Sequence, residues 1–266
     1  MKVIAHISDL HFGREDKKVA EALLNDLKNF SPNLVVVSGD LTQRARVKEF
    51  IAAREFLERL PVNYLVVPGN HDIPLYNLLD RVTRPLERYC QYITNDLAPT
   101  YLDDEIAVLG VNSTRSLTWK NGAISSKQIL ELSNKLQEFS PTVFKMIVTH
   151  HQFIPAPGKK LQPIIRRAPE TLKTLESAGI DLILAGHLHV GYNDDARAHH
   201  TVNKSIIVAQ AGTAISTRYR GETNTYNLIS VNPNTVTIMV RSWNGSHFTE
   251  VNTTNYTRNN LFWYRQ

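Results

Sequence analysis

The chain reads as an α/β fold whose C-terminal part turns β-rich, and three observations carry that reading. Apolar runs at Ile4 and Ile7, Leu34-Val35-Val36-Val37, Leu65-Val66-Val67, Met146-Ile147-Val148 and Leu182-Ile183-Leu184 have the hydrophobicity of buried strands. Between the first three, Val19, Leu23, Leu27 and Phe30, then Phe50, Ala53, Leu57 and Leu60, recur at helical spacing and predict crossover helices. After His189 the pattern changes to short strands at Ser205–Ala209, Tyr226–Val231 and Thr235–Val240, the last two joined by Asn232-Pro233-Asn234 as a hairpin turn.

The remaining elements follow from caps and breakers. Ser125 with Gln128 makes a capping box ahead of Ile129, Leu132, Leu136 and Phe139, while Pro169 and Gly179 bracket a further helix. These stripes are core. The stretches Ile73–Pro99 and Gln152–Ala168 read as loops, with room for one short helix in Leu75–Tyr92, and both are expected to wall a site because they follow motif residues. With no linker, repeat or low-complexity segment, the 266 residues are expected to form one domain, a core over 1–200 and strands over 201–266.

Composition narrows the function classes. The net charge of +5 is modest for this length, and no basic stripe suggests a stable nucleic-acid partner. The single cysteine, Cys90, excludes an internal disulfide and reads as a small apolar filler. Met1-Lys2 runs straight into Val3-Ile4-Ala5-His6-Ile7 without a signal-type or spanning segment, so a cytoplasmic protein is expected. Basic residues cluster at Arg14 to Lys18, Arg44 to Arg46, Lys159-Lys160 and Arg166-Arg167, ordinarily solvated surface. Arg14, Arg44 and Arg46 directly follow motifs, however, where cations steer anionic substrates.

The chemistry lies just after the apolar runs, in Asp9-Leu10-His11, Gly39-Asp40, Gly69-Asn70-His71-Asp72, His150-His151 and Gly186-His187-Leu188-His189. Asp and neutral His bind divalent first-row metals, and Asn adds a neutral carbonyl oxygen. If the strands share one sheet, their carboxyl ends bring these side chains to one edge, where open α/β sheets bind ligands. Residues two apart on an extended strand point the same way, so Asp9 with His11, and His187 with His189, are expected to reach a common ion. Such a set is expected to hold two ions, bridged by Asp40 and by a hydroxide that attacks phosphorus in an in-line displacement. Each motif alone is weak, Gly-Asp being an ordinary turn; their order and placement give them force. His6, His151, His199, His200 and His247 fall outside this logic and are expected to be satisfied core or solvated histidines, with His200 the one to watch near the site.

Together the motifs resemble the calcineurin-like metallophosphoesterase superfamily over residues 1 to about 190. The chain's size, Asp72, and Leu109-Gly110-Val111-Asn112-Ser113 followed by Gly122 are similar to the bacterial class III cyclic-nucleotide phosphodiesterases. The resemblance implies a two-sheet αββα sandwich flanked by helices, with the C-terminal strands completing the second sheet. It implies that Asp9, His11, Asp40 and His189 bind one ion and that Asp40, Asn70, His150 and His187 bind the other. His71 would protonate or stabilise the leaving alkoxide, oriented by Asp72. Gln152-Phe153-Ile154-Pro155 stands where the family often has His-Pro-Pro after its histidine, which changes the next loop.

Three functions compete on this reading. The first is a phosphodiesterase of small substrates, 3′,5′-cyclic nucleotides foremost. The second is a nuclease or a UDP-2,3-diacylglucosamine pyrophosphatase, although the nucleases usually carry extra domains and the lipid enzymes have Arg at the place of His71. The third is a non-enzymatic scaffold, against which the full ligand set argues. Mn, Fe, Zn and Mg suit the ligands nearly alike, and the oligomeric state stays open.

Overall fold

The structure, a computed structural model, describes residues 1–118, 120–159 and 161–266; Trp119, and Lys160 of the Lys159-Lys160 pair, lie outside the described residues. The chain begins with β1 (Lys2–Ile7), α1 (Lys17–Phe30), β2 (Leu34–Val37), α2 (Val47–Glu58) and β3 (Tyr64–Val66), the three strands pairing in parallel. α1 starts at Asp16, whose side chain accepts the N–H groups of Lys18 and Val19, and ends at Ser31 in the left-handed conformation. In the expected loop, two short helices form instead of one, α3 (Leu78–Thr83) and α4 (Glu87–Tyr92).

The second half follows the same alternation through β4 (Thr100–Leu102), β5 (Ile106–Gly110), α5 (Ser126–Gln137), β6 (Phe144–Val148), α6 (Ala168–Ser177), β7 (Leu182–Ala185), β8 (Tyr192–Asp195) and β9 (Ile207–Gln210). The capping box at α5 forms as expected, with Ser125 N–H donating to Gln128 Oε1 at 3.0 Å and Gln128 N–H to Ser125 Oγ at 3.2 Å. The chain ends in β10 (Thr225–Asn232), β11 (Thr235–Trp243), β12 (Phe248–Asn259) and β13 (Phe262–Arg265).

The motif-bearing strands do not share one sheet. They divide between one ordered β13-β12-β11-β10-β1-β2-β3 and another ordered β4-β5-β6-β7-β9-β8. Their inner faces meet in a common core: Ile4, Val36, Leu65 and Ile229 from the first pack with Val108, Met146, Leu184 and Ile207 from the second. α1 and α2 cover the outer face of the first sheet, and α5 and α6 that of the second, giving an αββα sandwich.

The expectation that the C-terminal strands complete the second sheet is corrected: β10–β13 extend the first, β10 pairing antiparallel with β1 in the register Lys2↔Val231, and only β9 joins the second. The open edge of β1 decides this, because pairing there satisfies its backbone groups while Ile229, Val231 and Ile238 enter the shared core. Cys90 packs partly buried against the first sheet's core, as a filler would. Among the described residues no helix is long and apolar enough to cross a membrane.

Candidate metal centre

The ligand motifs leave the carboxyl ends of β1, β2, β3, β6 and β7 and converge where the two sheets abut. Asp9 Oδ2 accepts the Ser8 hydroxyl at 2.7 Å and the His187 backbone N–H at 2.9 Å, so the first sheet's motif holds the second's. The paired spacing works through turns rather than extended strand: Asp9, His11, Asp40, His187 and His189 all have positive φ, between 48° and 79°. Two glycines make the closeness possible. A Cβ at Gly69 would overlap the Asp40 carboxylate, and one at Gly186 would overlap the Ser8 hydroxyl.

The histidine ring partners define which atoms face inward. His11 Nδ1 meets Thr42 O at 3.3 Å and His189 Nδ1 meets Arg218 O at 2.8 Å, so each Nδ1 carries the proton and each Nε2 keeps a lone pair. Those two Nε2 atoms lie 3.0 Å apart, with the Arg218 guanidinium 3.2 Å from that of His11. Asp9 Oδ1, buried without a hydrogen-bond partner, lies 3.1 Å from His189 Nε2 and 3.6 Å from His11 Nε2. Asp40 Oδ2 stands 3.6 Å from His11 Nε2. Lone pairs and carboxylate oxygens aimed at one point repel unless a cation lies among them, and this donor set fits a divalent ion.

A second group adjoins it. His150 Nδ1 donates to Ser38 O at 2.8 Å, leaving Nε2 at 3.3 Å from Asp40 Oδ1, 3.2 Å from Asn70 Oδ1 and 3.3 Å from His187 Nδ1. Asp40 therefore stands between both groups. All seven expected ligand residues, Asp9, His11, Asp40, Asn70, His150, His187 and His189, gather here. Burial lowers His11 to about 4 and His187 to about 3, which keeps them neutral donors near neutral pH. Burial also opposes charge on His150, yet the adjacent Asp40 carboxylate outweighs it and holds the ring at about 9, a proton that a bound cation would displace.

His71 stands at the edge of the same cleft, its Nδ1 bonded to Gln43 O at 2.8 Å and its Nε2 to the Arg218 guanidinium at 3.2 Å. The expectation that Asp72 orients this ring is corrected. The Asp72 carboxylate is buried and accepts from the N–H groups of Gly69, Leu41 and Thr42 and from the Thr42 hydroxyl. It thus ties the Asp40 loop to the Asn70 turn, and Gln43 O fixes the ring. Burial first, and then the Asp40 charge, raises the Asp72 carboxyl to about 7 against those donors.

Of the other histidines, His6 is satisfied by Ser38 Oγ at 2.9 Å, His199 by Asp194 and His247 by Ser246. His200 donates to Phe153 O at 2.7 Å beside Pro155, outside the cleft. His151 is only half satisfied: Nδ1 meets Ser113 Oγ at 2.8 Å, but buried Nε2 has no partner, and the ring lies close enough to His150 and His187 to share an ion with them.

The cleft above the centre holds about 340 Å³ and is lined by His71, Asn70 and His187 together with Gln43, Ile73, Leu75, Arg81, Lys120, Arg218 and Arg220. Thus the stretch after Asp72 does wall the site, whereas the one after His151 lends it no lining residue among the described residues. Arg14, Arg44 and Arg46 are absent from the lining; Arg44 lies over the Tyr76 ring and Arg46 faces Glu49. The cations that reach the cleft, Lys120, Arg218 and Arg220, escaped the sequence reading. Arg218 and Arg220 form an Arg-x-Arg eight residues past the end of β9, too far from the strand end for the motif pattern to mark them, and Lys120 carries no signal. A comparable cavity of about 390 Å³ near Lys145, Asp181 and Arg258 contains no ligand residue.

Residues 2–191 match the family described as Calcineurin-like phosphoesterase, and the chain belongs to that family. It is 26% identical over 162 residues to a probable glycerophosphodiester phosphodiesterase of Arcobacter nitrofigilis, a stretch covering 56% of each chain. A probable cyclic nucleotide phosphodiesterase of Synechococcus is 25% identical over 201 residues, covering 71% of this chain and 74% of that one. A dimetal phosphatase from Danio rerio superimposes with a TM-score of 0.65 at 13% identity, over 97% of this chain and 99% of that one, a likeness of fold.

Proposed function

We propose that the protein is a metal-dependent phosphodiesterase acting on small diesters, 3′,5′-cyclic nucleotides first among them. The observation that carries the reading is the place of Asp40, with Oδ2 toward His11 and Oδ1 toward His150, one carboxylate facing two ligand groups. Asp9, His11, Asp40 and His189 would hold one divalent ion and Asp40, Asn70, His150 and His187 a second, manganese, iron and zinc being the metals the donors suit. Such ions supply an activated water and neutralise the phosphoryl oxygens. The chain's own part is positional. His71, fixed at Nδ1 by Gln43 O, turns Nε2 into the cleft and, when protonated, can give that proton to a departing alkoxide. Arg218, between His11 and His71, supplies a guanidinium for the phosphoryl oxygens. Relatives named for glycerophosphodiesters and for cyclic nucleotides support a diester substrate.

The test is hydrolysis of bis(p-nitrophenyl) phosphate with Mn²⁺, followed by a panel of cyclic nucleotides. Wild-type protein is expected to bind about two ions per chain, and Asp40→Ala to lose both with nearly all activity. An Asp40→Ala protein working at full rate would overturn the two-metal reading.

A further inference from the structure

The cleft holds more positive charge than a singly charged diester needs. Arg218, whose backbone is pinned by the His189 ring and the Ser216 hydroxyl, reaches between His11 and His71 at the reacting end. Arg220 and Lys120 line the same cleft from different loops and stand exposed in it. Among the described residues neither forms a salt bridge, and no carboxylate belongs to the lining. Arg81 differs, because its guanidinium is spent on the carbonyls of Pro74, Ser116 and Thr118.

The Asp40 and Asp9 charges beneath the cleft act on Arg218, but no carboxylate of the lining offsets Lys120 and Arg220, whose charges favour an anion between them. A scissile diester group brings one negative charge, which Arg218 already meets. Resting on the phosphodiesterase reading, we propose that Arg220 and Lys120 form a second anion subsite, and that beyond cyclic nucleotides the protein cleaves phosphodiesters bearing a further phosphoryl group, such as a terminally phosphorylated dinucleotide, in preference to their unphosphorylated counterparts. Ile73 and Leu75 give the same cleft an apolar strip for the organic part of such a molecule.

The experiment compares the thymidine dinucleotide TpT with pTpT and TpTp, Mn²⁺ present, with products separated so that only cleavage of the internucleotide bond is counted. Two exposed cations acting on one phosphate are expected to favour at least one phosphorylated form over TpT roughly tenfold in kcat/KM, mainly through KM. That ratio should fall severalfold in Arg220→Ala and in Lys120→Ala, and shrink with added salt. Lys173→Ala, which removes an equal charge from the exposed side of α6, should retain the ratio. A wild-type ratio near one, or an unchanged ratio in both cleft variants, overturns the second subsite. If bis(p-nitrophenyl) phosphate is still hydrolysed in that case, the phosphodiesterase reading stands; if no diester is cleaved, that reading falls first and the subsite with it.

Discussion

Asp9 and His187 belong to motifs 178 residues apart, on different sheets, yet the Asp9 carboxylate accepts the His187 backbone N–H at 2.9 Å. One sheet supplies Asp9, His11, Asp40 and Asn70 from its strand ends, and the other His150, His187 and His189. Ions bound among them would therefore clamp sheet to sheet. Stability should depend on metal: Mn²⁺ at a hundredfold its Kd adds about 2.7 kcal/mol, and so roughly 5–10 °C of Tm for a chain this long. Thermal melts with chelator and with graded Mn²⁺ check this, and a Tm indifferent to both would show that no such clamp exists.

The adjacent histidines should separate. His150 Nε2 lies against Asp40 and Asn70, whereas the hydrogen bond of His151 runs to Ser113. His150→Ala is expected to lose the second ion together with activity. His151→Ala is expected to keep both ions, with a moderate defect from the space left beside Gly122 and His187. Metal analysis of the two purified variants distinguishes them, and the reverse pattern would make His151 the ligand.

Away from the centre, the sheets are also joined electrostatically. Lys2 Nζ on β1 meets Asp103 Oδ2, in the turn between β4 and β5, at 2.9 Å. Burial raises the Asp103 carboxyl, but the Lys2 bond and the N–H groups of Glu105 and Ile106 outweigh it and bring the value from 3.8 down to about 2. A depressed carboxylate contributes stability above its unfolded value and loses it as pH falls through the folded one. Asp103→Asn should thus cost about 1–2 kcal/mol near neutral pH after solvent screening, with the gap closing between 3.8 and about 2. Urea unfolding at a series of acid pH values measures the gap; a gap that does not change with pH excludes the ion pair as its cause.

The residues that gather at the centre were legible because each sits in a short motif directly after an apolar run, a local pattern that survives without knowing which strands pair. What joins the motifs was not. Sheet membership depends on which faces of β1, β10 and β6 enter the shared core, a relation among residues far apart in the chain. β12 was missed because its outward residues are Thr, Asn and Glu, so Thr249-Glu250-Val251-Asn252-Thr253 reads as turn rather than strand. Arg218 and Gln43, which touch the His71 ring, come from loops whose composition is ordinary; only folding makes them neighbours.

His71 offers the sharpest separation of roles. Its ring is held at Nδ1 by Gln43 O, with Nε2 toward Arg218 and the cleft, the disposition of a group that meets the leaving oxygen. A general acid matters when that oxygen departs as a poor alkoxide, such as a ribose 3′-oxygen, and little when it departs as p-nitrophenolate, which needs no proton near neutral pH. His71→Ala should therefore retain its metals and slow cyclic-nucleotide hydrolysis by roughly 10²–10⁴-fold, while p-nitrophenyl ester hydrolysis falls far less. A histidine that only contacts phosphate would slow both substrates alike, through weaker binding or lost stabilisation of the transition-state charge. Parallel kcat and kcat/KM measurements on the two substrates decide the matter, and equal losses would leave His71 as a phosphate contact without an acid role.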